Sequence, residues 1–327
     1  MNPILVREAL DRFRGKRAWP FLLLWVLGNV AAVYLLLLLG SEISNQGFGG
    51  LIGRPAVGPF VFHGALVLLL LGVVMILPGL ASVSIVGERE KQTLRLVQVT
   101  RLTPLQIVTG KLVASLGYIG WLVASVLPVL AAPLLLGGVG LGDAIGAVVM
   151  LLLIATAIGS MSIWLSSRAK STRAAVAGSY MLTFMLLFAT PLVAVGEAFF
   201  QTERFRQDLD GELFSLIPNP YLALGSAVLH PLEANSVLTP FGPVHAYLLS
   251  REAGDTNFGG GVAANLIVEQ DGHRFVRLTR PPLWVYSGLF YVGLSVLTIR
   301  RATRWVSTPS PTEFALKRRR NAKSSFL

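Results

Sequence analysis

Residues 60–111 read FVFHGALVLLLLGVVMILPGLASVSIVGEREKQTLRLVQVTRLTPLQIVTGK. Residues 60–86 contain no Asp, Glu, Lys or Arg. A helix rises about 1.5 Å per residue and the hydrocarbon core of a bilayer is about 30 Å thick, so roughly 20 apolar residues cross it. The first half of the stretch is therefore long enough to span a membrane. At Gly87 the composition turns over, and Glu88, Arg89, Glu90, Lys91, Arg95, Arg101 and Lys111 crowd into a short segment before the next apolar run opens at Leu112. Two spans joined by a densely charged loop is the unit from which the rest of the chain is read.

Working outward, 53% of the 327 residues are hydrophobic and 14% are charged, with a mean hydropathy of +0.64. These values place the chain among integral membrane proteins. Six stretches are long enough to cross: 18–39, 60–86, 112–136, 144–166, 174–196 and 283–299. The expected fold is an all-α polytopic membrane protein. Its divisions are a surface helix at 1–17, five spans within 18–196 with a coupling loop at 87–111, an outer segment at 197–282, a sixth span at 283–300 and a basic tail at 301–327.

Cations flank the apolar runs on alternate sides. Arg7, Arg12, Arg14, Lys16 and Arg17 precede the first span, and Arg168, Lys170 and Arg173 separate the fourth from the fifth. Arg300, Arg301, Arg304 and the KRRR run at 317–320 follow the sixth. The intervening short loops carry Arg54 alone and Asp143. The positive-inside rule then puts both termini and the 87–111 loop in the cytoplasm of a multi-pass inner-membrane protein. The net charge of +11 follows from these flanks, so it marks topology and not a nucleic-acid footprint.

The first apolar run is about as long as a bilayer is thick and ends in no small-residue cleavage site, which reads as an uncleaved span. Before it, Ile4, Leu5, Ala9 and Phe13 recur at helical spacing opposite charge, the pattern of a helix lying on the inner surface. Between 197 and 282, LFSLIPNPYLALGSAVL at 213–229 is interrupted by Pro218 and Pro220. It suits a re-entrant or interfacial pair of short helices. Alternation around Asp271-Gly272 predicts a small hairpin at 265–278.

In the charged loop, acidic residues precede Leu94, Leu96, Val97 and Val99, an amphipathic helix with acid at the positive end of its dipole. Thr103 and Pro104 then stop it and start another, with Thr103 as N-cap and Pro104 at the first helical position. Spacing alone reads equally as a rigid lever or as a solvated connection.

The stretch GEREKQTLRLVQVTRLTPLQIVTGKLVAS resembles the loop between the second and third spans of ABC-2 type permeases, the membrane subunits of one class of ABC exporter. The matching elements are Glu88-Arg89-Glu90, Thr93-Leu94, Thr103-Pro104 and Gly110-Lys111. The opening MNPILVREALDRFRGKRAW and NPYLAL at 219–224 resemble, in turn, the surface helix and the segment before the last span of that family. Gln92 departs from it, because Gly is common before the Thr. The resemblance implies a coupling helix docked on a separate ATP-binding subunit, with Glu88, Arg89, Glu90 and Arg95 as polar contacts, Leu94 and Val97 as apolar ones, and Thr93, Thr103 and Pro104 shaping the segment. It also implies a second permease copy or paralogue enclosing a translocation pathway, with membrane lipid around it.

The chain itself is expected to hold no cofactor, and ATP and Mg would sit on the partner. No Gly-x-x-x-x-Gly-Lys-Ser/Thr occurs, since Leu105 occupies the first glycine position and Leu112 follows Gly110-Lys111. There is no cysteine, and no two of His63, His230, His245 and His273 have helical metal-site spacing. Ionisable residues are nearly absent from the spans. His63 reads as interfacial, and Asn29 as an interhelical hydrogen bond or a pathway residue. Gly138, Gly142 and Gly146 repeat at four-residue spacing, a pattern for close helix packing. Pro78, Pro128, Pro133 and Pro191 are candidate kinks. The rival readings are an ATPase-coupled membrane anchor that transmits force without cargo, and a membrane-embedded enzyme. For an enzyme, the serine cluster at 159–162 lacks an activating histidine in any later span.

Overall fold

The computed structural model describes residues 8, 18–46, 57–94, 102–136, 139–194, 214–228, 240–241, 244, 267–270, 273–276 and 283–307. Six of its helices are long and apolar enough to cross a membrane. These are α1 (Ala18–Gln46), α2 (Val57–Glu90), α3 (Pro104–Leu135), α4 (Leu141–Arg168), α5 (Thr172–Phe184) with its continuation to Ala194, and α7 (Leu283–Ser307). A short helix, α6 (Pro220–Ala227), follows a 3-10 turn at Phe214–Leu216. Strands β1 (Ile267–Gln270) and β2 (His273–Val276) pair antiparallel with Gln270 opposite His273. Only Asp271 and Gly272 separate them in sequence, the dipeptide from which the hairpin is expected.

The helices outrun the expected spans at their ends. The sixth reaches Ser307 instead of ending near 299, so Arg300, Arg301 and Arg304 ride on the helix and not on a tail. Hydropathy marks where lipid ends, whereas backbone hydrogen bonding continues as long as helix formers do. The bulk of the surface helix at 1–17, and residues 308–327, lie outside the described residues.

α2 is the central element. It packs against α1, α3, α4 and α5, and its side chains fill the middle of the core from Phe60 to Ile85. Pro78 sits inside this helix without ending it. Nearby, the Tyr180 hydroxyl of α5 donates to the Met75 carbonyl, and Gly79 leaves the room that the phenol occupies. The phenol thus supplies an additional side-chain donor to the α2 backbone in the turn that precedes Pro78.

α1 and α5 leave most of their apolar surface open. α1 is held mainly through Trp25, whose ring lies over Gly72 so closely that a Cβ there would come within 2.2 Å of it. Its indole N–H donates to the Leu122 carbonyl of α3 at 3.2 Å. α4 and α7 run in the same direction, joined at mid-depth by Thr298 donating to Ser160 across 2.9 Å.

The candidate coupling site

The site is built where α2 leaves the bundle, and its chemistry begins with the helix end. The Thr93 N–H donates to the Glu88 carbonyl and the Gln92 N–H to the Arg89 carbonyl, the paired bonds of a Schellman cap. Gln92 takes the left-handed conformation this cap demands, with φ at +59°. That is the position at which the sequence departs from the pattern it resembles, where glycine is expected, and the geometry supplies a reason for glycine there. Gln92→Gly is expected to raise stability by about 1 kcal/mol, read as a higher thermal midpoint in mild detergent, because a Cβ in that region costs roughly this much.

Just before the cap, three consecutive charges fan outward. Successive helical side chains are about 100° apart, so a run of three sweeps more than half of the helix circumference and reaches different neighbours. Glu88 accepts from the Lys111 ammonium of α3 at 2.8 Å. Arg89 donates to the Ser167 carbonyl at 2.7 Å and the Ala169 carbonyl at 3.1 Å, at the C-terminal end of α4. Glu90 accepts from both the backbone N–H and the hydroxyl of Thr172 at the start of α5, at 2.7 and 2.6 Å. The guanidinium meets a helix C-terminus and the carboxylate a helix N-terminus, so each charge opposes the local dipole. Three neighbouring residues thereby pin one end of α2 to α3, α4 and α5.

Lys111 is the hub of this arrangement. It lies in the second turn of α3, on the same face as the buried Ile107, Val108 and Leu112, and its side chain is 1% exposed. Its three donors go to Glu8 at 2.6 Å, Glu88 at 2.8 Å and the Ser84 carbonyl at 2.9 Å. An ammonium has three N–H groups and no acceptor, so its capacity is fully used. Glu8 and Glu88 remain 17% and 27% exposed, leaving the carboxylates at the rim and the cation inside. Glu8 is the one described residue of segment 1–17, and this ion pair ties it to the junction of α2 and α3.

The residues expected to face a partner are thus engaged within the chain. Glu88, Arg89 and Glu90 are clamp residues, and Leu94 is buried in the protein's own core. Thr93 bonds back to the Glu88 carbonyl. The exposed part of the turn is Glu90, Lys91 and Gln92. Arg95 and Val97 lie outside the described residues. Thr103 caps α3 with Pro104 at its first position, and Gln106 completes a capping box by accepting from the Thr103 N–H. Lys111 was missed as a site residue. Its signal was the placement of a lysine on the apolar stripe of a capped helix, where burial demands a carboxylate.

Elsewhere, the Asn29 amide donates to the Trp25 carbonyl of its own helix at 2.9 Å, because a carbonyl one turn back is within reach without a second helix. It lines an apolar cavity of about 340 Å³ between α1 and α2, together with Trp25 and Gly72. His63, in the second turn of α2, is buried within the protein, with its ring 5.4 Å from Phe241. Among the described residues a Cβ at Gly142 would meet nothing within 4 Å, and one at Gly146 would lie 3.4 Å from the Ala227 carbonyl. Gly138 lies outside the described residues. Ser160 and Ser162 donate to carbonyls within α4, the ordinary behaviour of hydroxyls in apolar helices.

The opposite end of the bundle carries a second polar joint. Asn219 is 1% exposed. Its carbonyl oxygen caps α6 by accepting from the Tyr221 and Leu222 N–H groups, and its amide donates to the Leu187 carbonyl and the Thr190 hydroxyl. Leu187 lies in a π-helical turn, Met185–Ala189, which leaves backbone carbonyls outside the usual ladder. The Tyr291 hydroxyl of α7 donates to the Pro218 carbonyl.

A family model described as an ABC-2 family transporter protein matches residues 3–268. The chain belongs to the ABC-2 transporter family. The match takes in the surface segment, five spans, the clamp and the Asn219 joint of this ABC-2 permease, and ends before α7. No curated protein matches the chain.

Proposed function

We propose that this ABC-2 permease is the membrane-spanning subunit of an ATP-driven exporter, coupled through residues 87–111 to a separate ATPase subunit that carries ATP and Mg. A second permease copy or paralogue would complete the pathway, with both termini on the cytoplasmic side of the inner membrane. The observation that carries the proposal is the clamp. A push on the exposed turn at Glu90, Lys91 and Gln92 is borne by a helix end fastened to three other spans and, through Lys111, to the surface helix. A loop that served only to connect α2 and α3 would need no such fastening. The scarcity of ionisable groups at mid-depth favours an external energy source over a proton gradient.

The test is mild-detergent purification of the full chain, followed by identification of co-purifying proteins and an ATPase assay. Recovery of a soluble subunit bearing a phosphate-binding loop is the expected result. Lys91→Glu is expected to reduce that recovery about tenfold, the effect of setting a like charge against a docking surface. A chain that purifies alone and inert, in near-native lipid, overturns the reading. Hydrolysis that no candidate cargo stimulates points to the force-transmitting anchor.

A further inference from the structure

The ends of α4 and α7 nearest the clamp hold a cluster that the coupling proposal does not use. The Arg168 guanidinium lies 5.2 Å from the centroid of the Trp164 ring and 5.4 Å from that of Trp305. Trp164 and Arg168 are one helical turn apart on α4, and Arg301 and Trp305 one turn apart on α7, so each pair shares a face. Among the described residues neither Arg168, Arg301 nor Arg304 has a carboxylate partner; Glu8 and Glu88 bind Lys111, and Glu90 binds Thr172. The Trp164 indole N–H is buried and likewise has no acceptor among them.

The depth of this cluster is fixed by α7 itself. Trp284 and Trp305 are both exposed, at opposite ends of the helix. At about 1.5 Å per residue they stand roughly 32 Å apart, the thickness of a hydrocarbon core. Tryptophans at that separation mark the two headgroup levels. Arg168 and its two indoles therefore sit where lipid phosphates lie. A guanidinium held over aromatic rings carries five N–H donors in a planar fork, the shape that takes an anion by two parallel bonds.

We propose that Trp164, Arg168, Arg301 and Trp305 form a binding site for the headgroup of an anionic phospholipid. The two rings hold the guanidinium at the interface, Arg168 takes the phosphate oxygens, and Arg301 adds charge from the adjoining helix. Basic pockets between spans are suited to such headgroups, with each cation strengthening attraction to an anionic surface. The site is independent of the coupling proposal and would stand if no motor subunit were found.

The experiment is native mass spectrometry of the full chain, purified with whatever subunits accompany it, after equilibration in equal parts phosphatidylglycerol and phosphatidylcholine. Wild type is expected to retain phosphatidylglycerol selectively. Arg168→Gln is expected to lower its retention about fivefold, leaving phosphatidylcholine unchanged. Arg168→Lys, which keeps the charge but loses the fork, should fall between them. Neutralising the basic run at 317–320 should leave retention intact, and excess inorganic phosphate should not displace the lipid. Trp305→Leu provides a second variant should Arg168→Gln fold poorly. Equal phosphatidylglycerol retention in Arg168→Gln and wild type overturns the proposal. So does loss of selectivity on neutralising the tail alone, or displacement by free phosphate. A fall in motor recovery with lipid retention unchanged would reassign the cluster to the protein partner.

Discussion

Replacing Lys111 by Met is expected to destabilise the protein by about 3 kcal/mol, because it removes the buried cation that Glu8 and Glu88 share. The ammonium is almost fully buried and serves both carboxylates and the Ser84 carbonyl, so its removal breaks three bonds at once. The measurement is the thermal midpoint in mild detergent. The decisive comparison is the triple variant Lys111→Met, Glu8→Gln, Glu88→Gln. Replacing a whole ionic group by neutral residues avoids the unpaired charge, and such replacements are often close to neutral in stability. Recovery of most of the lost midpoint in the triple variant would show that charge balance, and not the shape of the lysine, holds the junction. A single variant as stable as wild type would refute the hub.

Asn219→Leu is expected to cost about 3 kcal/mol at the opposite end of the bundle. The change leaves two N–H groups of α6 uncapped and strands the Leu187 carbonyl in the π-helical turn, and each buried orphan costs about 1–3 kcal/mol. Asn219→Asp separates the two halves of this role. The carboxylate still accepts from the Tyr221 and Leu222 N–H groups, but it cannot donate to Leu187 or Thr190. It should therefore keep the cap and lose the attachment to α5. Amide exchange would read the difference, with Asn219→Leu exposing both 186–191 and 220–224 and Asn219→Asp exposing the first alone. Protection unchanged in both variants would remove Asn219 from the joint.

The six spans were legible because crossing lipid imposes a length of apolar sequence that little else produces. The Thr103-Pro104 start of α3 and the Asp-Gly hairpin were legible for a similar reason, since capping and tight turns are local. The destination of the charges was not. Nothing in the spacing of Glu88, Arg89 and Glu90 says whether they face a partner or the protein's own helix ends, because that depends on where α3, α4 and α5 end in space. Lys111 and Asn219 carried local signals, a lysine on an apolar stripe and an Asn-Pro helix start, but each signal names a need without naming what meets it. Trp164 with Arg168 and Arg301 with Trp305 each show one-turn spacing in sequence, yet their meeting required that α4 and α7 run parallel and in register. Asn29 is a further case: a polar residue in a span needs an acceptor, and the carbonyl one turn back supplies it.

The fan of charges at the end of α2 also constrains how this stretch can change length. Inserting one residue between Gly87 and Glu90 would turn everything before it by about 100° relative to everything after it. Glu88, Arg89 and Glu90 each occupy one specific bearing around the helix, so no single-residue shift can preserve all three. The cap extends the constraint, because the Gln92 and Thr93 N–H groups bond back to the Arg89 and Glu88 carbonyls, so a graft of this loop onto another permease must carry residues 87–93 whole.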